Sequence, residues 1–490
     1  MSDYFSDSPH EECGIIGIFA PDEDVARMAF FGLFALQHRG QEAAGIAVAD
    51  GQVLSVYKNV GLISQVFRQS TLDELKGHYA IGHTRYSTTG SSLIRNAQPF
   101  MIETMNGPLA LAHNGNLVNS AELRNEMLHQ GVGFSSSSDS EVMTMMLARD
   151  AGATWEERIK AAMKKWMGAY SLVILTRDCV YAVRDPWGFR PLSVGMLPSG
   201  GYAVASETGA LRTVGCETIR DVKPGEIVTL SPQALTVTQA LPPVIPSAKC
   251  IFEYIYFARP DQTWDGVNVH AVRQKLGEEL AREFVNGGAT EQTTDKSEKR
   301  TSGIQADVVI PVPDSSIPAA IGFSRVSGIP YNDGFIKNRY VGRTFIEPTD
   351  SLRKRGVALK FNVINENVLG KRVIMIDDSI VRGNTTGPLI KLLRNAGAKE
   401  VHVAITCPPI KYPCFMGVDM GRSEDLIAYS RTIDEICELS GADSLYYLSL
   451  DGMMRAVGRR DGYCRACFTG TYPIDVDVNN VKTGFERGVR

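Results

Sequence analysis

The chain has 490 residues, 44% of them apolar and 22% charged, with a formal net charge of −4. That length admits two or three domains, and the slight acidity leaves no basic footprint for nucleic acid or an anionic membrane. No apolar run reaches the ~18 residues that a membrane span needs.

The first twelve residues, Met1-Ser-Asp-Tyr-Phe-Ser-Asp-Ser-Pro-His-Glu-Glu12, are acidic and carry no apolar stretch. They match neither a secretory signal nor an arginine-rich transit peptide, so the expected location is the cytoplasm. Cysteines stand at 13, 179, 216, 250, 407, 414, 437, 464 and 467. An odd number without an export signal argues against a disulfide framework.

Residues 14–230 read as β-rich. Short apolar runs such as Gly14-Ile-Ile-Gly-Ile-Phe19 and Ser171-Leu-Val-Ile-Leu175 alternate with Gly-rich turns. Helical patterns interrupt them at 24–36 and 140–149. The mixture lacks a strict βαβ rhythm and predicts a layered α/β sandwich. Pro242, Pro243 and Pro246 mark a linker. Beyond it, Asp307-Val-Val-Ile-Pro-Val312 and Arg372-Val-Ile-Met-Ile376 are continuous apolar runs, as in strands buried on both faces of a parallel sheet. This half predicts a doubly wound α/β domain. Between the two runs, residues 286–305 are polar and read as a surface loop.

Cys13 stands at the start of the first predicted strand. Its thiol needs a base, and a free α-amine titrates near 7.7–8.0. Removal of residues 1–12 would put that amine beside the thiol on one residue. Four segments follow in order: Leu36-Gln-His-Arg-Gly-Gln-Glu-Ala-Ala-Gly45, Gly82-His-Thr-Arg-Tyr-Ser-Thr-Thr-Gly90, His113-Asn-Gly-Asn-Leu117 and Ser138-Asp-Ser-Glu141. Taken singly, Arg85 reads as a surface ion pair and Asn114-Gly115 as a type I′ turn. Together the four resemble the glutaminase domain of class II glutamine amidotransferases. The resemblance implies an N-terminal nucleophile fold with four αββα layers and Cys13 as nucleophile. Arg85 would fork onto the carboxylate of glutamine and Asp139 would pair with its ammonium. The amide of Asn114 and the N–H of Gly115 would form an oxyanion hole.

In the second half, Val373-Ile-Met-Ile-Asp-Asp-Ser-Ile-Val-Arg-Gly-Asn-Thr-Thr-Gly387 runs from a buried strand through two carboxylates into a loop of small and polar residues. A helix follows, with Pro388 in its first turn and Gly397 at its end. Anions bind at such a helix N-terminus and strand carboxyl end. The Gly-Lys-Ser/Thr ending of a P-loop is missing. The segment resembles the phosphoribosyl pyrophosphate (PRPP) motif of type I phosphoribosyltransferases. That implies ribose contacts from Asp377 and Asp378, and a 5′-phosphate cradle from Arg382, Gly383, Asn384, Thr385 and Thr386. One Mg²⁺ would sit near Ser315, Asp377 and Asp378. The cations and glycines of 337–355 are expected to form a lid.

The two halves in this order resemble the glutamine PRPP amidotransferase family over about residues 13–470. The organisation implied is a propeptide 1–12, a glutaminase domain 13–245, a phosphoribosyltransferase domain 246–470 and a tail 471–490. The substrates implied are glutamine and PRPP, with purine nucleotides as feedback inhibitors and a homotetramer as the assembly. Cys464-Arg-Ala-Cys467 alone could serve redox chemistry, bind zinc or do neither. Its surroundings, with Lys249-Cys-Ile-Phe-Glu-Tyr254 and Tyr412-Pro-Cys-Phe415, resemble the family's branch with a [4Fe–4S] cluster. One cluster would be held by Cys250, Cys414, Cys464 and Cys467, with zinc as the alternative. Cys407 is the rival to Cys414, whose flanks match the family. A PRPP-binding regulator would not need Cys13, Arg85 and Asp139. Amidotransferases for other acceptors would lack the 377–386 segment.

Overall fold

Gly14–Phe19 is a strand buried along its whole length, and its side chains serve two cores. Ile15 and Phe19 point toward a second sheet, while Ile16 and Ile18 pack against helices on the other side. Gly17 leaves the space its neighbours need: a Cβ there would come within 2.9–3.2 Å of Val204 in its own sheet and of Val173 and Val180 in the other. This computed structural model describes residues 13–86, 93–285, 305–338, 360–420, 422–458 and 461–476. The expected propeptide, residues 87–90 of the Arg85 segment, nearly all of the 286–305 loop, most of the 337–355 lid and the tail from 477 lie outside the described residues.

The first half contains a seven-stranded and a six-stranded antiparallel sheet packed face to face. Helix Val25–Ala35 covers the outer face of the first sheet. Helices Asp139–Arg149 and Trp155–Met163 cover the second. The result is four layers in the order αββα. In the second half, Val308–Pro311, Arg372–Asp377, Glu400–Ile405 and Ser444–Tyr447 form a parallel sheet in that spatial order. A parallel bridge from Val309 to Tyr331 adds the chain's next pass on the outer side of the first strand. The order of passes is therefore 2-1-3-4-5, a doubly wound arrangement. Its switch point lies between Val308–Pro311 and Arg372–Asp377, where ligands bind in such sheets. No helix among the described residues is long and apolar enough to cross a membrane.

The halves are locked by buried charge. Arg39 donates to Glu207 and to Glu253 across 214 positions of sequence, and His38 Nε2 lies 2.7 Å from Glu207. Burial of Arg39 opposes its charge, and both carboxylates sustain it.

Candidate functional sites in the two halves and between them

The register of the first sheet pairs Gly14 with Thr84 and thereby sets Cys13 at the level of Arg85. The Cys13 thiol is buried and donates to the Tyr86 carbonyl at 3.3 Å. Burial pushes it up to about 11. Arg85 draws it down, while Glu42 and Asp139 add to the rise. Arg85 is itself buried at the end of strand Tyr79–Arg85.

The second wall comes from strand Gly107–Leu117 of the other sheet. His83 joins the walls: its Nε2 lies 3.1 Å from the His113 carbonyl. Burial, with Arg85 beside it, takes the His83 ring down to about 3, so it is neutral near pH 7 and donates that bond. Asn114 and Gly115 follow within the strand, opposite Ser171 and Tyr170. They do not form the turn that the dipeptide alone suggests, because both flanks are paired into a ladder. Gly115 has φ +148, and a Cβ there would lie 2.0 Å from the Ala169 carbonyl oxygen, so only glycine fits. The Asn114 amide nitrogen is buried with no hydrogen-bond partner among the described residues. An orphaned donor of this kind costs about 1–3 kcal/mol unless something else accepts from it.

Asp139 opens helix Asp139–Arg149, behind the Ser138 cap. It accepts from the Leu117 N–H at 3.0 Å and sits 3.6 Å from His113 Nδ1. Burial works against its charge, yet His113 and backbone N–H groups hold its carboxyl below the usual range. Glu141 ties down the loop before it, accepting from the N–H and hydroxyl of both Ser135 and Ser136. The structure thus brings Cys13, Arg85 and Asp139 within electrostatic reach of one another and sets Asn114 and Gly115 between His113 and Leu117, two contacts of Asp139. Glu42 acts on the same thiol and His113 on Asp139; His113 opens the 113–117 segment, where nothing local in the sequence points to a role for it.

The second constellation stands at the switch point. Asp377 ends its strand half-buried, and Asp378 is buried just beyond. Ser315 Oγ donates to Asp378 Oδ2 at 2.5 Å, and Ser316 Oγ to Asp377 Oδ1 at 3.3 Å. Burial raises the Asp378 carboxyl, and hydrogen bonds from Ser315 and Ser379, with the Arg273 charge, moderate that rise. Arg273 is buried too, held by the carbonyls of Tyr254, Tyr256 and Ala258. Its isolated position in helix Val269–Val285 offered no sequence signal. Arg382, Gly383, Asn384 and Thr385 form the turn between Asp378 and helix Thr386–Asn395, and Thr386 is the helix's first residue. Gly383 takes φ +78 against Ile427, where a Cβ would meet Ile427 Cδ1 at 2.6 Å.

A third feature lies between the halves. Cys250, Cys414, Cys464 and Cys467 line one cavity together with apolar side chains including Phe189 and Phe252. Cys250 and Cys464 face each other in a two-residue parallel ladder, and Cys467 sits in the short helix Ala466–Thr469. The Met416 N–H donates to Cys414 Sγ at 3.3 Å. Among the described residues no carboxylate or imidazole lines the cavity. Cys407 does not line it; that thiol is buried near Asp377 and Asp378.

A glutamine amidotransferase domain model matches residues 83–213. The chain is 47% identical to an amidophosphoribosyltransferase of Synechococcus elongatus, over 96% of this chain and 93% of that protein. It is 45% identical to the amidophosphoribosyltransferase of Bacillus subtilis over 96% of each chain. Among solved structures it resembles the glutamine PRPP amidotransferase of B. subtilis complexed with ADP and GMP. That match has a TM-score of 0.86 at 44% identity, over 96% of this chain and 99% of that one. A structure described as the allosteric regulatory enzyme of purine biosynthesis gives a TM-score of 0.88 at 44% identity, over 97% and 99%.

Proposed function

Since the chain belongs to the amidophosphoribosyltransferase family, we propose how its two constellations divide the family's reaction. Glutamine, PRPP and water give 5-phosphoribosylamine, glutamate and pyrophosphate, the first step of purine biosynthesis. The Cys13 sulfur attacks the carboxamide carbon of glutamine. Charge gathers on the amide oxygen, which accepts from the Asn114 side chain and the Gly115 N–H. The α-amine exposed by loss of residues 1–12 takes the thiol proton and returns it as ammonia leaves. Water then hydrolyses the thioester to glutamate and restores the thiol. Arg85 and Asp139 hold the carboxylate and ammonium of the substrate. Ammonia forms the new bond to C1 of the ribose as the C1–O bond to pyrophosphate breaks. Asp377 and Asp378 hold the ribose hydroxyls, and residues 382–386 hold the 5′-phosphate.

The observation that carries the glutaminase reading is the orphaned Asn114 amide, a desolvated donor next to His113, which contacts Asp139. The coupled reading is tested by incubating the protein with glutamine, PRPP and Mg²⁺. Glutamate and pyrophosphate should appear in equal amounts, with glutamate release rising on addition of PRPP. Glutamate without pyrophosphate would sink the second assignment.

Two inorganic groups fit the donor sets. Ser315, Asp377 and Asp378 would hold Mg²⁺. Two carboxylates and a hydroxyl leave room for water and substrate oxygens to complete the shell of such a cation. When bound, it neutralises the leaving pyrophosphate. The four thiols of the apolar cavity fit a [4Fe–4S] cluster held by Cys250, Cys414, Cys464 and Cys467. Four cysteines on one cavity would also suit a structural zinc ion, and the resemblance to the family's iron–sulfur branch favours the cluster. Protein purified without air should contain about four irons and four sulfides per chain and absorb broadly near 400 nm. Cys414→Ala should abolish both signals. About one zinc and no sulfide would replace the cluster with a structural zinc site. Purine nucleotides are the proposed regulators, the assembly a homotetramer and the location the cytoplasm.

A further inference from the structure

One stretch of the second half reaches back into the glutaminase cleft. It leaves strand Glu400–Ile405 beside the PRPP loop, where the Thr406 N–H donates to the Asp377 carbonyl at 3.0 Å. The N–H groups of Lys411 and Tyr412 both donate to the Cys467 carbonyl at 3.0 Å, and the Tyr472 hydroxyl donates to the Pro413 carbonyl at 2.7 Å. Cys414 then faces the thiol cavity. The next three residues lie against the oxyanion strand. Asn116 Nδ2 donates to the Phe415 carbonyl at 2.9 Å. Arg190 donates from Nε to the Met416 carbonyl at 3.1 Å, and again from a terminal nitrogen. Gly417 has φ +103, and a Cβ there would lie 3.0 Å from the Gly115 carbonyl carbon and 3.1 Å from its Cα. Arg190 is fully buried, so these bonds are shielded from water.

We propose that residues 414–417 form a strap from the second half that clamps the backbone of residues 114–116 in its oxyanion-binding form. Asn116 and Arg190 are its positioning residues, and Gly417 is its seat. The proposal rests on the reading of Asn114 and Gly115 as oxyanion donors. Such donors stabilise a transition state only when fixed before the charge forms. Gly115 has φ +148, a conformation that favours glycine, and one side of its strand is paired with Gly168–Leu175. The strap packs directly on it. Because the strap continues from the strand next to Asp377, it also ties the geometry of the first site to the integrity of the second.

The test compares Asn116→Ala, Asn116→Asp and Gly417→Ala with the processed parent enzyme. Four quantities are read: kcat and KM for glutamine hydrolysis, affinity for an aldehyde analogue of glutamine, alkylation of Cys13 by iodoacetamide, and phosphoribosyl transfer from ammonium. The aldehyde adds the thiol and places an oxyanion in the hole. Each variant should lose about 10- to 100-fold in kcat and in aldehyde affinity, with KM changed by less than about threefold. Alkylation and ammonium-dependent transfer should stay at parent levels. Asn116→Asp should resemble Asn116→Ala, because it keeps the size and loses the donor. Parental kcat and aldehyde affinity in Asn116→Ala would overturn the strap, as would loss of ammonium-dependent transfer along with hydrolysis. Asn114→Ala separates the two readings. If it too is harmless, the oxyanion assignment has failed; if it is damaging while Asn116→Ala is not, the strap alone has failed.

Discussion

A chain that begins at Cys13 is expected to hydrolyse glutamine, and a chain that retains residues 1–12 is expected to be inert. The reason is the thiol's environment. Buried and pushed up to about 11, Cys13 is thiolate in roughly one molecule in ten thousand at pH 7. Arg85 does not offset burial, and no histidine donates to or accepts from the sulfur among its described hydrogen bonds. While residue 12 remains attached, the Cys13 nitrogen is an amide and cannot accept a proton. Once free, it is an amine that titrates near 7.7–8.0 and is already in place. Glutamine hydrolysis should therefore differ by about 10³-fold or more between the two forms. Cys13→Ala in the processed chain should lose about 10⁴-fold or more in glutamine-dependent transfer, yet keep transfer from ammonium. Intact-mass measurement and glutamate release on the same preparation check this. Rapid glutamate release from protein shown by mass to retain residues 1–12 would refute the amine as base.

Asp378→Asn should produce the opposite pattern. Asp378 is buried, accepts from Ser315 and Ser379, and lies within reach of the Arg273 charge. An asparagine fills the same volume but removes the negative charge from the switch point. Phosphoribosyl transfer should fall about 10²- to 10³-fold whether glutamine or ammonium supplies the nitrogen. Glutamine hydrolysis measured without PRPP should persist, and its stimulation by PRPP should weaken. Pyrophosphate release with each nitrogen donor, run beside PRPP-free glutamate release, distinguishes the cases. Full transfer in Asp378→Asn would remove the residue from the second site. The pair of variants matters more than either alone, since each half should lose its own step and keep the other's.

Much of this architecture can be read along the chain. Continuous apolar runs at 307–312 and 372–376 become central parallel strands, because a strand buried on both faces has no polar side to show. Pro388 and Gly397 fall near the two ends of the helix after the PRPP loop, since one lacks an N–H that the first turn does not need and the other takes φ +89. The residues proposed for the two sites also fall in short segments, each set by local demands: a glycine where backbone approaches at Gly115, a carboxylate at the strand end at Asp377.

The sequence by itself therefore determined two α/β halves, their order and the residue types each reaction needs. Tertiary structure alone decided how those pieces meet. The Asn114-Gly115 pair lies within a strand rather than a turn because strand Gly168–Leu175 pairs with it and with the residues on either side. Cys414 rather than Cys407 shares a cavity with Cys250, Cys464 and Cys467, which depends on the path of the chain after strand Glu400–Ile405 and not on spacing. Arg39 meets Glu253, Arg190 meets Met416, and Asn116 meets Phe415 across 214, 226 and 299 positions. Contacts at such separations impose no period or local pattern on the sequence. They arise only when two independently patterned halves are packed together, where buried charges and carbonyls must find partners in the opposite half.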